Sequence, residues 1–193
     1  MKNDYLLECI NSLKNTGPNG FEGLIRDLLE RWTGQKFRLA RSGSQSGKDA
    51  TSENINGCVI AAEMKCYNRR TVFSSRMLSG ELSEAVTSLP NLDLWVLAST
   101  KEIGDKEAQS LRVLSEKLNV EILIIDSRDN GVGPLQAFCA GYPYVTASFC
   151  INNGNDVDRQ ILIERLNEIR SHQNFNVATD QSSVRERSQF GVL

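Results

Sequence analysis

The second half of the chain alternates between apolar strands and amphipathic helices, and this pattern constrains the fold more than any other feature. Segments 58–67, 92–99 and 120–125 have the nearly continuous apolar composition of buried strands. Between them, 75–88 and 104–118 carry apolar residues at helical spacing. Parallel strands need a crossover connection, usually a helix. The alternation therefore predicts an α/β fold with parallel strands and right-handed crossovers.

The remaining segments complete one domain with a polar tail. The elements predicted there are helices 4–14 and 21–32, a strand 36–41, a Ser/Gly-rich loop 42–48, short helices within 131–149 and a final helix 156–170. We expect one domain over 1–172, with a core at about 20–126 and C-terminal helices over 133–172. Residues 173–193 are predicted to be a polar tail or linker.

Composition bounds the class of protein. The chain has 193 residues, 40% of them hydrophobic and 24% charged, which is typical of a globular domain. Its apolar runs fall short of the roughly 20 residues that cross a bilayer, so we expect no membrane association. The five cysteines form no CxxC pair and follow no N-terminal apolar segment, which favours a reducing, cytoplasmic location. The net charge of −2 gives no overall sign of nucleic-acid binding.

Two charges interrupt the apolar strand 58–67. Glu63 and Lys65 are two positions apart, so their side chains point to one face, while Ala62 and Met64 point to the other. Burying a carboxylate and an ammonium is costly unless they pair, bind a metal or face a cleft. Asp49 ends the glycine-rich loop shortly before this strand, so chain order predicts a site shared with Glu63 and Lys65.

Two converging carboxylates form a hard oxygen site of the kind that Mg²⁺ or Mn²⁺ occupies. Lys65 beside such a site would hold a water or neutralise charge on a phosphate, and Glu22, at the start of the second helix, could act as an outer carboxylate. Simpler explanations stay open at this stage. Glu63 and Lys65 would also suit an ion pair on a solvated strand, and the helix dipole favours an acid at position 22 in any protein.

In this order, Glu22, Gly47-Lys48-Asp49 and Glu63-Met64-Lys65 resemble the motif of the PD-(D/E)XK nuclease superfamily, specifically its Mrr-like restriction endonuclease branch. The likeness spans about 21–126. It implies a restriction-endonuclease-like core with a central mixed sheet flanked by helices. It also implies that Asp49, Glu63 and the Met64 carbonyl bind the metal, that Lys65 assists catalysis and that Glu22 is an accessory acid. The proline of the family name is missing, since Lys48 precedes Asp49.

Positive charge is concentrated around the motif. Residues 36–76 contain eight basic and three acidic side chains, a local net charge of +5. Such a rim suits a phosphate polymer, because phosphate contacts supply affinity that does not depend on sequence. The side chains expected to contact DNA are Arg41, Ser44, Gln45, Lys48, Arg69 and Arg70. Arg69 and Arg70 would equally suit an ordinary solvated turn after a strand.

The resemblance implies an Mg²⁺-dependent endonuclease, with Mn²⁺ as a possible substitute, that hydrolyses double-stranded DNA in a restriction or anti-phage setting. Because one such domain cuts one strand, duplex breaks favour a homo-oligomer or a larger assembly with an NTPase or sensor module. Two alternatives stay open. One is a structure-selective nuclease of the junction-resolvase or repair type. The other is a catalytically silent nuclease-like module that binds nucleic acid or a protein.

Overall fold

The computed structural model describes residues 4–40, 46–52, 57–67, 73–128, 131–173 and 175. This part of the chain is an α/β structure with a five-stranded mixed sheet flanked by helices. The strands are β1 (Phe37–Leu39), β2 (Ala50–Ser52), β3 (Ile60–Lys65), β4 (Leu94–Ser99) and β5 (Glu121–Asp126). The helices are α1 (Tyr5–Asn11), α2 (Phe21–Thr33), α3 (Ser75–Ser88), α4 (Asp105–Leu118), α5 (Pro134–Gly141), α6 (Pro143–Asn153) and α7 (Arg159–Ser171).

The strands lie in chain order across the sheet, and their directions change at β3. β3, β4 and β5 are parallel, with Glu63 beside Leu97 and Leu97 beside Ile124. Helices α3 and α4 connect these strands, so the parallel pairing predicted from the alternating pattern is confirmed. On the other side of β3, the pairs β1–β2 and β2–β3 are antiparallel, which makes the sheet mixed.

Strand β2 is the element that the sequence does not predict. Its three residues, Ala50-Thr51-Ser52, pair with both β1 and β3, whereas we expected the chain to pass from Asp49 through a turn to the strand at 58. The segment is short and has no apolar periodicity, so its extended conformation depends on backbone pairing with its two neighbours rather than on its own composition. Asp49 therefore stands immediately before the first residue of a strand and not in an open loop.

Alternate residues of β3 and β4 face two separate cores. Ala62 and Met64 pack with Val96 in a core formed with α1, α2, α5, α6 and α7. Ala61 and Trp95 pack in a second core formed with α3 and α4. This confirms that Glu63 and Lys65, which alternate with Ala62 and Met64, point to the α3 side of the sheet.

The predicted helices occur in the structure with small shifts of their ends. Helix α2 buries its apolar stripe, including Phe21 and Leu28, and ends where Gly34 adopts a left-handed φ of 70°. Segment 131–149 forms α5 and the start of α6, and the final helix begins after the Asp158 cap, whose side chain accepts from Gln160 N. None of the helices in the described ranges is long and apolar enough to cross a membrane.

Candidate active site

The pairing of β2 with β3 brings Asp49, the residue just before β2, next to β3. The Asp49 amide donates to the Ala62 carbonyl at 2.8 Å, and its side chain Oδ2 accepts from the Met64 amide at 2.7 Å. Because the N–H and C=O of one strand residue point to the same side, the Met64 carbonyl is also on the Asp49 side of β3. The structure therefore places Asp49 and Met64, both predicted from the motif, next to one another.

Lys65 lies between two carboxylates. Its Nζ is 2.5 Å from Glu63 Oε1 and 2.7 Å from Glu81 Oε1. Glu63 precedes it on the same face of β3, as expected, whereas Glu81 comes from α3 and was not predicted. The signal that could have identified Glu81 is its position beside the apolar stripe of a helix that packs on the Glu63 face.

Asp49 and Glu63, the two acids predicted from the motif beside Lys65, are deeply buried. Asp49 is 4% exposed and Glu63 is 3% exposed. Burial raises the pKa of the Asp49 carboxyl to about 6; the hydrogen bond from Met64 opposes this shift and the charge of Glu22 adds to it. Burial likewise raises the pKa of Glu63 to about 7, and the nearby Asp49 charge adds to the effect. Both carboxyls therefore ionise less readily than an exposed acid does.

Lys65 offsets only part of the negative charge of these acids. Burial by itself would lower the pKa of Lys65, but its contacts with Glu63 and Glu81 more than offset this and raise the pKa above its ordinary value. The ammonium thus stays charged at neutral pH. Within the described ranges, Lys65 is the cation that acts on the carboxylates of Asp49, Glu63 and Glu81, so a further positive charge there would be favourable.

Two oxygens in this group have nothing to bind among the residues that the structure describes. Glu63 Oε2 and Glu81 Oε2 are both buried without a hydrogen-bond partner there. Leaving a buried acceptor unpaired costs roughly 1 to 3 kcal/mol. A bound cation or an ordered water would satisfy such an oxygen.

The donors fit a hard divalent cation in part. Asp49, Glu63 and the Met64 carbonyl supply oxygen ligands, and Mg²⁺ usually takes one or two protein carboxylates and keeps several waters. Across the described ranges, however, no group of three or more His, Cys, Asp or Glu side chains is arranged to hold a metal ion. These donors would therefore form a site with two carboxylate ligands, in which water and substrate complete the coordination of the cation.

Glu22 lies in the first turn of α2 and is 7% exposed. Its Oε2 accepts from the Gly17 amide at 2.7 Å, which holds the carboxylate against the loop before the helix. Its charge is close enough to raise the pKa of Asp49. The structure therefore brings Glu22 near the other acids, as the motif predicts, although it contacts loop backbone instead of Lys65.

The glycine-rich loop is fixed on α3 just before Asp49. Gly47 has a φ of +74°, and a Cβ on it would lie 1.9 Å from the Glu81 carbonyl oxygen, so a larger residue would not fit. The Gly47 carbonyl accepts from Trp95 Nε1 at 3.1 Å. The first contact holds the segment leading to Asp49 against α3 and the second holds it to β4. Neither was predicted.

The predicted DNA-contacting residues are only partly accounted for. Lys48 is half-buried, burial lowers its pKa, and its Nζ donates to the Ser88 hydroxyl at the end of α3. It therefore points along α3, away from the Lys65 contacts. The other predicted contacts, Arg41, Ser44, Gln45, Arg69 and Arg70, lie outside the described residues.

The described residues of the site differ in how much of them is exposed. The side chains of Lys65 and Glu81 retain 15% and 20% of their exposure, well above the values for Asp49 and Glu63. Among the described residues of this site, Lys65 and Glu81 are therefore the ones most open to solvent. Comparison with protein-family models gave no matching family, and comparison with curated proteins gave no match.

Proposed function

We propose that this chain is a metal-dependent nuclease of the PD-(D/E)XK type, of the Mrr-like branch with its restriction-endonuclease-like core, that hydrolyses phosphodiester bonds of double-stranded DNA. The observation that carries the proposal is the nearness of Asp49, Glu63 and Lys65, whose charges act on one another, together with a buried Glu63 oxygen that lacks a partner in the described structure. The mixed sheet supports it, since the motif residues occupy adjacent ends of β2 and β3.

Asp49, Glu63 and the Met64 carbonyl would hold the cation. A bound Mg²⁺ or Mn²⁺ supplies Lewis-acid activation of water and of the phosphate. The protein holds Asp49 in position through the Met64 amide, which occupies Oδ2 and fixes the rotation of the carboxylate. Burial keeps bulk water from competing for the same oxygens.

Lys65 would orient the attacking water and offset negative charge on the phosphate. Its pKa lies above the ordinary value, so it acts as a fixed cation and not as a general base. Glu22 would adjust the site from a distance, because its negative charge near Asp49 strengthens the attraction for a cation. The predicted oligomer or larger assembly, the cytoplasmic location and the defence setting belong to the same proposal.

One alternative has a specific observation in its favour. The two ion pairs of Lys65, at 2.5 and 2.7 Å, are also what a catalytically silent nuclease-like module would keep to stabilise its fold. Such a module would retain the contacts and bind no cation. The choice between DNA substrates, including branched DNA for a resolvase-type enzyme, requires measurement of cleavage.

A plasmid-nicking assay tests the proposal. Supercoiled DNA is incubated with the wild type, Asp49→Ala and Lys65→Ala in Mg²⁺, in Mn²⁺ and in EDTA, and linear and branched DNA are compared afterwards. We expect cutting by the wild type that EDTA abolishes and that each substitution lowers about 100-fold or more.

The matched control is Asp126→Ala. Asp126 is 4% exposed, like Asp49, and accepts a backbone hydrogen bond from Ile103 at 2.8 Å, but it lies at the end of β5. We expect its substitution to leave nicking per folded molecule unchanged. Cutting that survives both Asp49→Ala and Lys65→Ala would refute the proposed site, and a wild type that binds DNA without cutting it would favour the silent module.

A further inference from the structure

Glu81 reaches Lys65 from a different element than the motif does. Lys65 and Glu63 share β3, whereas Glu81 lies on α3, and its Oε1 is 2.7 Å from the Lys65 ammonium. Its backbone carbonyl is in turn packed against Gly47, two residues before Asp49. Glu81 is thus fixed relative to both ends of the motif.

Two roles would explain a carboxylate at this position. It could be a third ligand to the cation, or it could hold Lys65. Within the ranges that the structure describes, Asp49, Glu63 and Glu81 do not form a three-acid group arranged for a metal ion. Glu81 instead directs Oε1 at the ammonium. The geometry favours the second role.

Lys65 needs a second carboxylate to hold it, because Glu63 would also bind the cation. The Lys65 ammonium is closer to Glu63 than to Glu81. The proposed function nevertheless assigns the Glu63 carboxylate to the cation. A divalent cation on Glu63 would weaken its hold on Lys65 and would repel the ammonium. The lysine stem is flexible, so Lys65 would then leave the reaction centre unless another group retained it.

We propose that Glu81 is a positioning residue that keeps Lys65 over the reaction centre while Glu63 binds the cation. This inference rests on the proposed function. Because Glu81 acts through Lys65, its loss should slow the chemical step and leave binding of both the cation and DNA largely intact.

The test compares Glu81→Ala and Glu81→Gln with wild type. Glutamine keeps an oxygen that can accept from Lys65, whereas alanine removes the contact. Glu84→Ala is the matched control, since Glu84 is an exposed acid on the same helix. For each protein we would measure the single-turnover nicking rate at saturating plasmid, the plasmid concentration that gives half that rate, the Mn²⁺ dissociation constant without DNA, and the melting temperature.

We expect Glu81→Ala to lower the saturated nicking rate about 10-fold to 100-fold. Glu81→Gln should lose less, and Glu84→Ala should match wild type. The half-saturating plasmid concentration and the Mn²⁺ dissociation constant should stay within about threefold of wild type, as expected for a group that contacts neither ligand.

Two results would overturn the inference while leaving the proposed function intact. A rise of about tenfold or more in the Mn²⁺ dissociation constant of both variants would make Glu81 a metal ligand. A wild-type nicking rate in folded Glu81→Ala, with a change in melting temperature alone, would make its role purely structural. A wild type that shows no metal-dependent cutting would overturn the proposed function, and this inference with it.

Discussion

The buried charge of Asp49 destabilises the folded protein at neutral pH, and Asp49→Asn should remove that cost. The folded pKa of about 6 lies above the ordinary value of 3.8, so the folded state holds the proton more tightly than the unfolded chain does. The free energy of unfolding must therefore fall as pH rises between these two values and stay low above them. The shift corresponds to about 3 kcal/mol at about pH 8.

Asparagine is close in size to aspartate, and its side-chain oxygen can still accept from the Met64 amide that now donates to Asp49 Oδ2. For a domain of this size we expect Asp49→Asn to raise the melting temperature by roughly 5 to 10 °C at about pH 8 in EDTA. Near pH 5 the gain should shrink to about half. Thermal unfolding followed by circular dichroism measures both values.

Adding Mg²⁺ separates a cation site from simple burial. Wild type should gain stability with Mg²⁺, because the ion binds only the folded state, whereas Asp49→Asn should gain little. Burial also raises the pKa of Asp126, so Asp126→Asn should share the pH effect and keep the response to Mg²⁺. A lower melting temperature for Asp49→Asn at about pH 8, with no Mg²⁺ response in wild type, would refute the reasoning, since the Asp49 charge would then be satisfied by the protein itself.

Three further predictions concern the same region. Gly47→Ala should lower stability by about 1 to 3 kcal/mol by chemical denaturation, because its left-handed φ and its contact with the Glu81 carbonyl exclude a Cβ; an unchanged midpoint would contradict this. Trp95→Phe should cost more than about 1 kcal/mol, because it loses the bond to Gly47 and leaves a cavity where the fully buried indole packs. The cost should be smaller in a Gly47→Ala background, where that bond is already disturbed, and an equal cost in both backgrounds would count against the bond. The apparent affinity for Mg²⁺ should rise with pH through about 6 to 7, the pKa values of Asp49 and Glu63, because the ion displaces their protons. A titration of nicking with Mg²⁺ at several pH values measures this, and an affinity independent of pH would argue against these ligands.

The parallel half of the sheet could be predicted because its segments are long and strongly patterned. All six residues of β4 are buried, and helices α3 and α4 on either side of it in sequence have clear apolar stripes. Each element must therefore bury a face against the sheet, and few arrangements allow this. The same facing pattern on β3 was enough to place Glu63 and Lys65 together.

The rest depended on tertiary contacts that leave no periodic signal. Strand β2 has three residues and is defined by pairing on both sides. Glu81 resembles any acid on a partly exposed helix until α3 is placed over β3. Gly47 could be recognised as a loop glycine but not as the residue that packs on Glu81. The predicted DNA contacts in 41–45 and 68–72 lie outside the described residues and stay predictions.

The most direct test of the central claim is to locate a cation in a crystal of the protein grown with Mn²⁺, by anomalous scattering. The account predicts a peak within about 2.2 Å of carboxylate oxygens of both Asp49 and Glu63, with Lys65 still in contact with Glu81. It predicts no such peak in Asp49→Asn. A wild-type site free of Mn²⁺ at saturating concentration, with Lys65 still bridging Glu63 and Glu81 as it does now, would contradict it.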